Sequence, residues 1–149
     1  MRMDLSLAEY RALAQFRYQI RRYLHFSEEQ ARSYGLEPQQ HQLLLAIKGL
    51  PEGIQPTIGE LADRLQLKHH SMVELVDRLE KHGYVTRASG TDDRRQVIVH
   101  LTRAGARVLR QLSLAHRSEL DTAGPALSTA LRSLRKARAI ASEAAGSAA

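Results

Sequence analysis

Between residues 57 and 83 two apolar stripes of helical period stand only a few residues apart, and that spacing leaves little choice of fold. Thr57-Ile58-Gly59-Glu60 has the Ser/Thr-x-x-Glu form of a capping box, in which hydroxyl and carboxylate satisfy each other's end-of-helix amide donors. Ile58, Leu61, Ala62 and Leu65 then recur as one face of a first helix. Gln66-Leu67-Lys68 is the turn. Met72, Leu75, Val76 and Leu79 stand at i, i+3, i+4 and i+7, which gives a second helix, from about His69 to His82, one core face. Gly83 ends it, where a left-handed residue is favoured. Two short helices joined by a tight turn make a helix-turn-helix, whose second helix lies in the major groove of DNA.

The other face of that second helix carries Lys68, His69, His70 and Ser71 in its first turn, then Glu74 and Arg78. All can donate or accept hydrogen bonds, and the N-terminal end of a recognition helix is the end that meets base edges. A merely solvated amphipathic helix would look the same. The residues after Gly83 separate the two possibilities. Tyr84 to Ser89 and Gln96 to Leu101 read as strands, the second with Val97, Val99 and Leu101 alternating with Gln96, Ile98 and His100. Between them lies the polar tip Gly90-Thr91-Asp92-Asp93-Arg94-Arg95. A hairpin directly behind a recognition helix is a wing. An ion pair between Asp93 and Arg95 would stiffen the tip and leave Arg94 to reach a minor groove, where narrow width deepens the negative potential.

These residues resemble the winged helix of the MarR family of bacterial transcription regulators. The resemblance rests on Leu75-Val76-Asp77-Arg78-Leu79-Glu80 with Gly83. It also rests on the wing pattern D-x-R-x-x-x-V-x-L-T, met here by Asp93, Arg95, Val99, Leu101 and Thr102, with Gly105 after it. It implies a mainly helical fold with a small β-wing, a winged helix-turn-helix domain flanked by N- and C-terminal dimerisation helices. It implies a homodimeric repressor on a palindromic operator, often released by a small aromatic or phenolic ligand. By that analogy Arg22, Tyr23, His25 and His41 are candidate ligand contacts, since such ligands bind between the dimerisation helices and the winged lobe. Packing and surface charge account for the same four residues more simply.

A chain of 149 residues suits one domain with a real core. It has no cysteine, so disulfides, thiolate metal sites and thiol redox sensing are excluded within it. There is no long apolar run and no signal-peptide pattern, which predicts a cytoplasmic protein. Net charge is +6 and favours a polyanionic partner. From Arg64 to Arg95 the balance is only +2; from Arg103 to Arg138 it is +6. The excess lies mostly behind the wing, so placement of single residues matters more than bulk charge.

Around the winged unit the chain reads as helices. One runs from about Ser6 to Ser33, with Leu13, Phe16, Ile20, Tyr23 and Leu24 as its apolar stripe, and ends at Gly35. Glu37-Pro38 start the next, with proline at the first helical position, where its missing N–H costs nothing. Gly49, Pro51, Gly53 and Pro56 mark a loop, and a short strand near Gln55 or Pro56 could pair with the wing. Thr102 reads as the N-cap of a helix to about Asp121, with Val108, Leu109, Leu112 and His116 on its apolar side. Gly124-Pro125 is expected to break the chain before a last helix. The whole reads as one domain: dimerisation helices at 1–35 and 103–143, a lobe at 36–102, and a frayed tail at 144–149. The end helices hold more apolar residues than one small lobe needs, which predicts a homodimer.

No H-E-x-x-H, P-loop, G-x-S-x-G or paired-carboxylate signature appears, so neither an enzyme nor a cofactor is expected. His69 and His70 are adjacent and diverge by about 100° on a helix, a poor metal site. His25, His41 and His116 could converge but lack ligand spacing. The competing reading is a winged-helix adaptor that binds protein and not DNA.

Overall fold

The computed structural model describes residues 4–148 and orders them as α1 (Leu7–Ser33), α2 (Pro38–Lys48), α3 (Ile58–Leu65), α4 (His69–Lys81), β1 (Val85–Ser89), β2 (Val97–Leu101) and α5 (Arg103–Ser147). The chain divides into two compact units. One is helical and, among the described residues, holds 4–27 and 115–148. The other is winged and spans Glu28–Leu114. These borders differ from the sequence reading. Ala31 of α1 and Val108, Leu109 and Leu112 of α5 belong to the winged unit's core, not to separate dimerisation helices.

In the winged unit the capping box expected at Thr57 and Glu60 is half made: Thr57 N–H donates to Gln55 O at 2.9 Å, and the Glu60 carboxylate accepts from Arg64 Nε at 3.0 Å instead. Glu60 N–H donates to Thr57 Oγ1 at 3.1 Å, so the hydroxyl of Thr57 caps α3. Glu37 N–H donates to Gln40 Oε1 at 2.8 Å at the start of α2. The turn after α3 is made by Gln66 in the left-handed region (φ 54°), uncommon for a residue with a Cβ. Its side chain donates to Asp63 O at 2.7 Å, which holds the turn locally. Ile58, Leu61 and Ala62 of α3 and Met72, Leu75, Val76 and Leu79 of α4 are buried, with Leu36, Leu43, Leu44, Val85 and Val99. Each such aliphatic side chain contributes about 1.5–3 kcal/mol by leaving water.

The wing is an antiparallel pair with Val85 opposite Leu101 and Ser89 opposite Val97. The strict alternation expected in β2 does not hold: Val97 is exposed, whereas Ile98 and Val99 are both buried. Thr57 forms an isolated bridge to Ile98, and Val99 N–H donates to Pro56 O at 2.9 Å. Segment 56–57 thus lies along the wing and covers Ile98 on the side that an isolated hairpin would leave wet.

Two backbone features lock the wing to the helices on either side of it. Thr102 Oγ1 donates to Gly83 O at 2.6 Å and accepts from Gly105 N–H at 3.0 Å, while Thr102 N–H donates to Tyr84 O at 3.0 Å. One threonine therefore caps α5 and ties its start to the chain leaving α4. Gly105 is buried against this junction; a Cβ there would overlap Tyr84 O.

In the helical unit, Ser6 and Glu9 cap α1 reciprocally, Ser6 N–H to Glu9 Oε2 at 2.8 Å and Glu9 N–H to Ser6 Oγ at 3.2 Å. Ala12, Ser27, His116 and Ala130 are buried, and His116 Nε2 lies 2.7 Å from Ser27 Oγ. Tyr23 and Phe26 meet the His116 ring edge-on at 6.1 and 5.6 Å. Leu13 and Leu24, expected in the buried stripe of α1, are exposed in this chain, as are Leu7, Tyr10, Leu131 and Ile140.

The expected break at Gly124-Pro125 is absent: α5 passes through Pro125 as one 45-residue helix. Proline removes one amide donor and crowds the preceding turn. The turns that follow it, with Ala126, Leu127, Ala130, Leu131 and Arg132, carry strong helix propensity. The same propensity, from Ala144 and Ala145, keeps residues 144–147 helical where a frayed tail was expected.

Candidate nucleic-acid interface

Four buried residues of α4 fix how that helix lies, and its outward face is set by them. Lys68, the N-cap residue, and His69, His70, Glu74 and Arg78 are exposed, and Ser71 is half-buried. The helix therefore presents three donors or acceptors in its first turn and two further charges along it. None of these side chains is committed to the core.

The wing tip is braced from within. Asp93 Oδ1 accepts from Arg95 N–H at 3.0 Å and from Arg95 Nε at 3.4 Å. Gly90 N–H donates to Gln96 O at 2.9 Å and Gln96 N–H to Asp93 O at 3.1 Å, closing the loop. Gly90 must stay a glycine here, because a Cβ would come within 2.5 Å of Asp93 O. Arg94 is exposed at this tip.

A groove of about 360 Å³ runs between these parts, lined by Thr57, Ile58, Gly59, His69, Val73, Arg87, Arg95, Gln96 and Val97. It sets the side of His69 against the wing. Arg87 is the residue that sequence reasoning missed. Its guanidinium reaches Asp77 Oδ1 at 2.6 Å and Glu80 Oε1 at 3.1 Å, and so braces β1 against α4. The hydrogen bond that Arg87 donates to Glu80 raises its pKa above the ordinary value, desolvation by burial opposes this more weakly, and the bond donated to Asp77 adds a smaller rise. The signal was present as Asp77 and Glu80 three apart on one helical face, but nothing local says that an arginine six residues beyond the helix returns to them. Because all three side chains are over a quarter exposed, Arg87→Ala should cost only about 1 kcal/mol. Urea titration at low and at about 1 M salt checks this, since screening should shrink the difference.

The residues named as ligand contacts are distributed over both units. In the helical unit Arg22 is exposed with its guanidinium 5.7 Å from the Tyr18 ring centre, His25 is exposed, and Tyr23 is half-buried. Burial, with the Glu119 carboxylate adding to it, raises the Tyr23 phenol above its usual range and keeps it a neutral donor. His41 is buried in the winged unit. Among the described residues no three His, Asp or Glu side chains are grouped to hold a metal ion, and no helix is long and apolar enough to cross a membrane.

This geometry has relatives. Residues 34–96 match the sequence pattern of the MarR family. The chain is 39% identical over 74 residues to the uncharacterized HTH-type transcriptional regulator YcgE of Bacillus subtilis (strain 168), an overlap covering 50% of this chain and 46% of YcgE. It thus spans about half the length of the curated relatives that it matches. The fold is similar to that of AbsC, a MarR family transcriptional regulator from Streptomyces coelicolor (TM-score 0.73, 22% identity, 97% of this chain and 99% of that one). It is similar also to Streptococcus pneumoniae FabT, solved in complex with DNA (TM-score 0.65, 20% identity, 76% and 80%). With its capped helix-turn-helix and its D-x-R wing inside the matched stretch 34–96, the winged part of this chain is similar to that of MarR family regulators.

Proposed function

We propose that this chain is a sequence-specific, DNA-binding regulator of transcription that acts as a homodimeric repressor on an inverted-repeat operator. The observation that carries this reading is one exposed surface of the winged unit. The outward face of α4 bears Lys68, His69, His70, Ser71, Glu74 and Arg78, and the wing tip bears Arg94. In this mechanism α4 enters the major groove. Ser71, His69 and His70 meet base edges, and Glu74 accepts from a cytosine amino group. Lys68 and Arg78 contact phosphate or brace the helix. Arg94 enters the adjacent minor groove, held out by the Asp93–Arg95 bracing.

Dimerisation would cover the exposed apolar residues of the helical unit, Leu7, Leu13 and Leu24 of α1 and Leu131 and Ile140 of α5. Two recognition helices on a two-fold axis then meet successive major grooves about 34–36 Å apart. A small ligand would release the operator by binding more tightly to a dimer whose two α4 helices no longer match that span. Arg22, Tyr23, His25 and His41 are the positions at which to look for its effect. The test is a gel shift with DNA flanking the protein's own gene. A discrete band competed away by the same sequence and not by scrambled duplex is the expected result. Retardation of no duplex would leave the protein-binding adaptor in its place.

A further inference from the structure

The cleft between α4 and the wing is lined by cations and by no carboxylate. Arg87 and Arg95 stand in its wall with Gln96, His69 and Val73. The strand register explains the arrangement. Arg87 lies opposite Val99 and Ser89 opposite Val97, and Arg87 reaches Asp77 and Glu80, so this is the side of the wing turned to α4. Most hydrogen-bond donors in the wall are uncommitted. Both carboxylate contacts of Arg87 are made through Nη2, and among the described residues its Nε and Nη1 make no hydrogen bond. The one side-chain bond of Arg95 runs from Nε to Asp93 at 3.4 Å, and its side chain is 93% exposed. The Gln96 side-chain amide makes no hydrogen bond among the described residues. Bracing of the wing therefore uses one corner of each guanidinium and leaves the other edges open.

Duplex geometry says what would lie against those edges. With α4 in a major groove and Arg94 in the minor groove beside it, one sugar–phosphate strand separates the two. That strand has to pass through the cleft between α4 and the wing, a space of about 360 Å³. An arginine suits it, because two N–H groups of the planar fork match two phosphate oxygens. Asp77 and Glu80 already hold Arg87 from the α4 side, so less side-chain freedom is lost when a phosphate arrives. A wall without carboxylates adds no repulsion against the strand.

We infer that Arg87, Arg95 and Gln96 grip the phosphodiester strand that runs between the two grooves. Arg95 is then a DNA contact as well as the brace of the wing tip, and Arg87 ties that strand to α4. The inference rests on the proposed docking of α4 and Arg94 and adds a sequence-independent contact between them. The test uses the full chain and a duplex that it retards specifically. An uncharged methylphosphonate replaces one phosphate at a time along each half-site. Binding is followed by fluorescence anisotropy for wild type, R87Q, R95Q, R87Q/R95Q and R94A, each checked by circular dichroism for an unchanged helical signal. For wild type, substitution at one or two adjacent phosphates, between the bases read by α4 and the minor groove entered by Arg94, should weaken binding about tenfold. In R87Q/R95Q the same substitutions should cost less than about twofold, because the partner side chains are already gone. R94A should keep the wild-type loss at these phosphates, since Arg94 acts in the minor groove. Each phosphate contact contributes about 0.9 to the slope of log affinity against log salt, so the double variant should lower that slope by about 1 to 2. An Arg87 and Arg95 that only brace the wing would weaken binding to every duplex alike and leave the pattern of sensitive phosphates unchanged. Equal losses in wild type and R87Q/R95Q at every phosphate therefore overturn the inference and leave DNA recognition by α4 standing. Specific retardation of no duplex by wild type overturns both.

Discussion

Replacing Gly105 with alanine is expected to cost about 3 kcal/mol, the upper end of what overpacking a filled site costs. The added Cβ would overlap Tyr84 O and stand 2.9 Å from Tyr84 C, both main-chain atoms that no rotamer change can move. To make room, the first turn of α5 must retreat from Tyr84. That movement breaks the Thr102 N–H bond to Tyr84 O and the Thr102 Oγ1 bond to Gly83 O, which together join the wing's end to the end of α4. With about 2–4 °C lost per kcal/mol in a chain of this size, the melting temperature should fall by about 10 °C. Gly59→Ala is the matched control. Nothing lies within 4 Å of its Cβ position and the residue is helical, so alanine there should be neutral or stabilising by about 0.5–1 kcal/mol. Equal melting temperatures for the two variants would show that the Thr102 junction is not closed.

Leu79→Ala should cost a further large share of stability, about 2–5 kcal/mol in urea titration, because Leu79 is fully buried on the inner face of α4 and alanine leaves a cavity there. Glu74→Ala, on the outer face of the same helix, should change stability by less than about 0.5 kcal/mol. The contrast matters for function. If α4 keeps its inner and outer faces separate, Leu79→Ala loses DNA binding only in proportion to unfolding, while outer-face variants lose it in a fully folded protein. A Leu79→Ala cost below about 1 kcal/mol would mean that the helix is not seated through Met72, Leu75, Val76 and Leu79.

Local signals carried much of this fold. The Thr57–Glu60 cap, the helical spacing of Leu75, Val76 and Leu79 and the stop at Gly83 each concern residues within one turn of one another, where propensity and periodicity act directly. Distant contacts were harder to see. Arg87 pairs with Asp77 and Glu80 through a reversal of the chain, and Gly105 matters because of a carbonyl 21 residues before it. Sequence flagged Gly105 as part of a family pattern but could not say which atom it touches. Pro125 misled for the opposite reason: its local signal is strong, yet the helix propensity of the turns after it is stronger. In α1 the period was right and the partner was not. The expected stripe includes Leu13 and Leu24, whereas within its own chain the helix buries Ala12 and Ser27. The candidate DNA contacts were read from polarity on one face, and their exposure is what a free recognition surface requires, but exposure does not say which base each would meet.

The proposed function rests on a division of labour between α4 and the wing tip, and selecting duplexes from a randomised library with wild type, His70→Ala, Ser71→Ala and Arg94→Ala probes that division without an intermediary. Arg94→Ala is expected to weaken binding to all selected sequences by a common factor. His70→Ala and Ser71→Ala should change which bases are preferred, with penalties of about 1–3 kcal/mol at the affected positions. Identical losses on every sequence for all three variants, or an unchanged selected sequence for both α4 variants, would contradict it.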